Sequence, residues 1–176
     1  MVQVPSDPKE VLNLALQNEE QGYKILSDAS KACEDKMAKA TFDFLAKEEI
    51  KHIEIIKHFA ETGEAIDPSR IKVLEKIEVG KAIKGIFEQF GWQYEQAATT
   101  GYETRQEAYR TAMDMERHGH HYYKQAAEQA QGQAAKDFYK FLAAEEIRHY
   151  EIIQETYEFL EQPDALLAME ERWMQM

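Results

Sequence analysis

The chain contains an internal repeat, and this repeat limits the possible folds more than any other property of the sequence. Residues 41–57 are TFDFLAKEEIKHIEIIK and residues 138–154 are FYKFLAAEEIRHYEIIQ, so that ten of seventeen positions are identical at an offset of 97. The same offset, with no gap, aligns residues 15–30 with 112–127, where four more positions agree. A constant offset of this kind indicates that one supersecondary unit occurs twice. The sequence therefore predicts two copies of one structural unit.

Each unit shows the apolar pattern of two helices. Apolar residues recur every three or four positions in four segments, which is typical of helices with one buried face. We expect these helices to begin near residues 7, 36, 104 and 135, and the second to run to about residue 61. Asp7 with Glu10, and Thr104 with Glu107, have the spacing of a capping box at a helix start. Each unit is therefore expected to be a helix pair.

The connections predict how the four helices are arranged. Short connections, at about residues 31–35 and 131–133, join antiparallel neighbours. A longer segment, roughly 65–103, separates the two pairs, and its apolar positions Ile83, Ile86, Phe87 and Phe90 indicate that part of it is helical. We expect one all-α domain over residues 1–176, with repeat one at about 8–61, repeat two at about 104–160 and a tail at 161–176. The expected fold is a four-helix bundle of two repeated antiparallel helix pairs joined by a long crossover.

Composition excludes several classes of protein. The chain has 33 acidic and 21 basic side chains and a net charge of −12, which argues against nucleic acid as a partner. No apolar run is long enough for a transmembrane helix, and no secretory signal is visible at the first residues, so we expect a cytoplasmic protein without membrane contact. The single cysteine, Cys33, excludes a disulfide framework and a four-cysteine metal site.

Six acidic or histidine side chains interrupt the apolar faces of the predicted helices. In each unit, one Glu lies 30 residues before a Glu-x-x-His sequence, and the six residues are Glu19, Glu49, His52, Glu116, Glu146 and His149. Counted from the short connections at 1.5 Å per residue, all six lie about 21 to 28 Å along the helices, close to one level. The spacing of Glu-x-x-His puts both side chains on one helix face. Because buried carboxylates are costly without a partner, four that converge predict a bound cation.

The donor set favours particular metals. Carboxylates and imidazoles suit iron or manganese better than copper(I) or a structural zinc site. Four Glu carboxylates balance the charge of two divalent cations, so we expect two Fe ions per chain, with Mn as the alternative. In this assignment Glu49 and Glu146 bridge the ions, Glu19 and Glu116 each bind one ion, and His52 and His149 each serve one ion.

The motifs Glu19…Glu49-Ile-Lys-His52 and Glu116…Glu146-Ile-Arg-His149 resemble the carboxylate-bridged di-iron site of the ferritin-like superfamily. Within it, the two similar halves and the E-E-x-x-H-x-E-I-I pattern most resemble rubrerythrins, over about residues 8–160. The resemblance implies a ferritin-like bundle and a di-iron oxidoreductase that reacts with hydrogen peroxide or O2. The alternative that it implies is a ferroxidase-type or non-enzymatic protein that oxidises and stores iron. Family habit and the apolar tail lead us to expect a homodimer.

The chain differs from the rubrerythrin pattern in two respects. Rubrerythrins carry a rubredoxin domain with four cysteines as an electron relay, whereas this chain has only Cys33, so the electrons must come from an external donor such as a rubredoxin-like protein. Rubrerythrins also carry an extra carboxylate three residues after the Glu of the third helix. Here that position is Gly119, which matches Gly22 in the first helix, and we expect the two glycines to leave room beside the metals.

Three further side chains are candidates for additional or indirect contacts with the metals. His120 follows Glu116 by four residues and therefore shares its helix face, where it could replace the missing carboxylate or lie at the rim of the site. Tyr23 and Tyr123 lie near the site by helix position. Ordinary packing of the two tyrosines, with a partner for each hydroxyl group, is the alternative to a role at the metals.

Overall fold

The computed structural model describes residues 4–63, 82 and 102–161, and the side chains of 102–104 are outside this description. The described chain forms four helices: α1 at Pro8–Ala32, α2 at Lys36–Thr62, α3 at Tyr102–Gln129 and α4 at Gln133–Glu161. The prediction of an all-α four-helix bundle is confirmed. The predicted crossover and the tail after residue 161 lie outside the described residues, except for Ala82 and for residues 102–103 at the start of α3.

Capping residues determine where the helices start and end. Asp7 caps α1, as predicted, and its side chain accepts a hydrogen bond from the Lys9 backbone N–H at 3.0 Å. Asp35 caps α2 by accepting from the Ala38 N–H at 2.8 Å. Gly63 ends α2 with φ +68°, a left-handed conformation that glycine adopts without the steric cost of a Cβ.

The start of the third helix differs from the prediction. α3 begins at Tyr102, so Thr104 and Glu107 lie inside the helix and do not cap it. The residues between Gly101 and Glu107 are mostly good helix formers, so nothing in this part of the sequence stops the helix at 104. The two short connections are residues 33–35 and 130–132, close to the predicted positions, and Gly132 in the second has φ +94°.

The helices pack first within each pair and then across the bundle. α1 packs on α2 and α3 on α4, while smaller contacts join α1 to α3 and α2 to α4. Phe42 and Tyr109 share one apolar cluster with the end of α4, whereas Phe59 and Tyr123 share a second cluster at the other end. α2 therefore ends, and α3 begins, at opposite ends of the bundle, as a long crossover requires.

The two apolar clusters leave a polar layer between them. The layer lies near the middle of all four helices, where the side chains predicted to bind metal project inward. Among the described helices, none combines the length and the low polarity that crossing a lipid bilayer would need.

Candidate metal centre

All six predicted ligand side chains are buried in the polar layer. Their exposed fractions lie between 0% and 4%, for Glu19, Glu49, His52, Glu116, Glu146 and His149. α1 and α3 contribute one carboxylate each, and α2 and α4 contribute one carboxylate and one imidazole each. The regular apolar period of each helix carries these polar groups into the core, because they occupy positions on the buried face.

His52 lies among three carboxylates. Its Nδ1 atom is 3.0 Å from Glu19 Oε2, 3.7 Å from Glu49 Oε2 and 3.5 Å from Glu146 Oε1. Two oxygen or nitrogen ligands of one transition-metal ion, each about 2.1 Å from it, are about 3.0 to 3.5 Å apart. The distances around His52 are therefore close to those of ligands that share a cation.

His149 has a similar set of neighbours from the other repeat. Its Nδ1 atom is 3.2 Å from Glu49 Oε1 and 3.5 Å from Glu116 Oε2. The two imidazole rings are stacked, with centroids 5.0 Å apart and planes 13° from parallel. The two oxygens of Glu49 thus face different histidines, one in each helix pair.

The buried donor atoms can hold metal. One ligand atom from each of Glu49, His52, Glu146 and His149 lies within 4.8 Å of the others. Several donor atoms lack a hydrogen-bond partner of good geometry within the described part of the chain: Glu49 Oε1, Glu146 Oε1, both oxygens of Glu116 and both ring nitrogens of His149. Unpartnered buried polar atoms are unfavourable. Cations in this space would give them partners, and this cluster fits a di-metal site.

The pKa of Glu49 is shifted in the opposite direction from the pKa values of the other three carboxylates. Burial, followed by the neighbouring charge of Glu49, raises the pKa of Glu19 to about 7. Burial and nearby carboxylates also raise the pKa values of Glu116 and Glu146 well above the usual range. For Glu49, burial acts upward, but contacts with Glu19, His149 and His52 outweigh it and lower the pKa. Without a cation, Glu49 is therefore the carboxylate that ionises most readily, because four carboxylates this close cannot all ionise.

Burial and the neighbouring carboxylates shift the pKa of His52 in opposite directions. Burial alone would lower its pKa, but hydrogen bonding and charge attraction from Glu19 and Glu49 raise it well above the ordinary value. Without a cation, the raised pKa favours the protonated form of His52. Metal binding would replace that proton, since a coordinating imidazole must be neutral at the bound nitrogen.

Of the three additional candidates, Tyr123 is the one with a hydrogen bond to a predicted ligand among the described residues. Tyr123 is fully buried, and its hydroxyl group donates a hydrogen bond to Glu19 Oε1. The Tyr23 side chain is 40% exposed, because residue 23 is turned about 100° from the buried Gly22, and its contact with the metals stays a prediction. His120 Nδ1 donates to the Ala143 carbonyl oxygen at 2.9 Å, and His120 is not among the four clustered donors.

A second pair of acidic residues lies next to the predicted ligands. Glu48 and Glu145 each precede a Glu-x-x-His glutamate, and both are buried rather than exposed. Glu48 pairs with Lys51 at 2.6 Å, and Glu145 pairs with Arg148. The basic partners neutralise these carboxylates, so they add little to the negative charge of the site.

A cavity of about 380 Å³ reaches the centre between α1 and α3. Its walls include Gly22, Gly119 and Met115, and the carboxylates of Glu19, Glu49 and Glu146 also border it. Both glycines that were predicted to leave room beside the metals line this cavity. A volume of this size has room for about ten water molecules.

Several of the residues that line the cavity are also related by the internal repeat. Asn18 and Met115 are related by the offset of 97, as are Gln21 and His118, and all four line the cavity. Extending the repeat from the ligands to their neighbours would have found these residues.

Comparisons with protein-family models, with curated proteins and with solved structures found no match to this chain.

Proposed function

We propose that the chain holds a carboxylate-bridged di-iron centre and acts as a rubrerythrin-type oxidoreductase on hydrogen peroxide or O2. The observation that carries this proposal is the position of Glu49, whose two oxygens lie 3.7 Å from His52 and 3.2 Å from His149. A carboxylate between two imidazoles of different helix pairs is suited to bridge two cations. Because those imidazoles come from the two repeats, each repeat would supply the nitrogen ligand of one ion.

The other three carboxylates are assigned to the two proposed ions by the histidines that they neighbour. Glu19 lies beside His52, and Glu116 lies beside His149, so each would bind the ion of its neighbouring histidine. Glu146 would complete the centre as the second bridge. Tyr123 retains its hydroxyl proton, since burial and the nearby Glu19 carboxylate raise its pKa well above the ordinary value. The Tyr123 hydroxyl group therefore donates a hydrogen bond to Glu19 Oε1, and this leaves Oε2 facing His52.

The proposed reaction is a two-electron reduction. A bound pair of iron ions supplies redox chemistry in steps that together transfer two electrons. Hydrogen peroxide takes up two electrons and two protons, its O–O bond breaks, and two water molecules form; O2 taking up the same electrons and protons gives hydrogen peroxide. The electrons come from a reduced external protein of rubredoxin type. The cavity between α1 and α3 gives a small molecule a path to Glu49 and Glu146.

The second candidate is a ferroxidase-type iron-handling protein. Two ferrous ions would each lose one electron to hydrogen peroxide, giving two ferric ions and, with two protons, two water molecules. The observation that favours this candidate is the cysteine count, because within these 176 residues Cys33 alone cannot form a four-cysteine electron relay. Ferric ions would then remain bound or be released, and the chain would not turn over.

Metal content and oxidation kinetics test the proposal. Protein reconstituted anaerobically with Fe2+ should contain two Fe per chain, and Glu49→Gln should retain less than half of that amount. Glu54→Gln is the matched control, since Glu54 is an exposed glutamate on the same helix. A wild-type metal content no higher than that of Glu49→Gln would refute the centre.

Stopped-flow oxidation distinguishes the two candidates. Fe2+-loaded protein is mixed with hydrogen peroxide in the presence of an excess of reduced rubredoxin. Many peroxide molecules consumed per chain support the oxidoreductase. Oxidation of the two irons once, followed by retained or slowly released ferric iron, supports the iron-handling protein and rejects the peroxide reductase.

A further inference from the structure

Two glycines occupy equivalent positions in the repeats, and each faces the Glu-x-x-His carboxylate of its own helix pair. Gly22 on α1 faces Glu49 on α2, and Gly119 on α3 faces Glu146 on α4. A Cβ at position 22 would lie 3.5 Å from the Glu49 carboxylate, which is ordinary contact. A Cβ at position 119 would overlap Glu146 Oε2 and lie 3.0 Å from the carboxyl carbon. Only the second glycine is therefore required for space.

The backbone gives no reason for a glycine at position 119. Among the described residues, the glycines with positive φ are Gly63 and Gly132, and Gly119 lies within α3. Glycine in the middle of a helix is less stable than alanine. The absence of a Cβ at this position thus opposes helix stability while it makes room for the carboxylate of Glu146.

This recess affects where Glu146 directs its other oxygen. With Oε2 against α3, Oε1 lies 3.5 Å from His52 Nδ1, across the bundle in the other helix pair. Oε1 is buried and has no hydrogen-bond partner of good geometry in the described residues. A methyl group at 119 would meet the end of a flexible side chain, so the carboxylate would move before the helix backbone does.

We propose that Gly119 is a positioning residue for Glu146: its missing Cβ forms the recess that directs Glu146 Oε1 toward His52. This inference rests on the proposed metal centre, in which Glu146 is a ligand. Gly119 also stands where rubrerythrins have an additional carboxylate. In this chain, the space beside α3 is taken by the carboxylate of Glu146 itself.

Cobalt binding tests the role of Gly119 at the metals. Co2+ is titrated into metal-free wild type, Gly119→Ala and Gly22→Ala, and both stoichiometry and the visible absorption spectrum are recorded. Gly119→Ala should bind at least one ion tenfold more weakly and show an altered spectrum. Gly22→Ala introduces the same methyl group at the equivalent position and should change the affinity by less than threefold. Wild-type affinity and spectrum in Gly119→Ala would overturn the proposal.

A thermal cycle without metal tests the contact separately. Gly119→Ala is made in wild type and in Glu146→Ala, and the four melting temperatures are compared. The substitution should lower Tm in wild type but leave it unchanged or raise it in Glu146→Ala, where the overlap is gone and alanine favours the helix. If Gly119→Ala alone does not fold, recovery of folding in the double variant supports the proposal.

The two experiments distinguish failure of the Gly119 inference from failure of the proposed metal centre. An equal loss of Tm in both backgrounds, or failure of both variants to fold, would show that position 119 matters for packing alone and would overturn the inference. No cobalt uptake by wild type would instead reject the proposed metal centre. The thermal cycle would then still report whether the methyl group and Glu146 compete for the same space.

Discussion

The metal-free protein should lose stability as the pH rises from about 5 to about 8. Burial raises the pKa of Glu19 from 4.5 to about 7, so the folded protein holds a proton that the unfolded chain has already released. A raised carboxyl pKa gives stability that is fully present below the unfolded value and is lost as the pH rises through the folded value. This is opposite to an exposed, salt-bridged carboxylate, whose contribution is lost as the pH falls.

The other shifted groups in the site act in the same direction over this range. The pKa values of Glu116 and Glu146 are raised, and so is that of His52. Glu49 has a lowered pKa, and its contribution changes only below the unfolded value of 4.5. From Glu19 alone, a change from 4.5 to about 7 corresponds to about 3 kcal/mol, at 1.36 kcal/mol for each pKa unit. A loss of that size lowers Tm by roughly 6 to 12 °C in a chain of this length.

Urea unfolding of metal-free protein, followed by circular dichroism at several pH values, measures this dependence. Glu19→Gln removes one titrating group and should flatten the curve, whereas Glu20→Gln, at the exposed neighbouring position, should not. Added Mn2+ should have the opposite pH dependence, because its ligands must lose their protons to bind. At a concentration one hundred times its Kd, an ion contributes about 2.7 kcal/mol. Unchanged or increasing stability of the metal-free protein toward pH 8 would refute the reasoning.

Three further substitutions probe the surroundings of the centre. Tyr123→Phe removes the donor to Glu19 and should destabilise the protein by about 1 to 2 kcal/mol in urea unfolding; a change near zero would mean that the hydrogen bond contributes nothing. Asp35→Ala should cost about 1 to 2 kcal/mol and more than Asp7→Ala, since both residues cap helices but only Asp35 is buried; the reverse order would contradict this account. His120→Ala should leave two metal ions per chain by elemental analysis, and loss of an ion would make His120 a ligand.

The sequence predicted the bundle and the level of the site because both follow from regular helix geometry. An offset of 97 and a rise of 1.5 Å per residue were enough to bring Glu49, His52, Glu146 and His149 to one depth, and these four side chains do lie together. α3 begins at Tyr102, two residues before the predicted start near Thr104, and capping residues such as Thr104 also occur inside helices. Periodicity also placed Tyr23 near the site, although one residue of rotation carries its side chain to the surface.

The contacts within the centre could not be predicted from the repeat. The repeat makes Glu49 and Glu146 equivalent, yet Glu49 faces both histidines, while within the described residues the close histidine contact of Glu146 is with His52 alone. Side-chain direction depends on the space left by neighbouring helices, and this space differs at Gly22 and Gly119 by less than the length of one bond. Differences this small arise from packing and leave no mark on periodicity or spacing. A duplicated sequence therefore predicts which residues meet, whereas the asymmetry of the two bridging positions depends on how the helices pack.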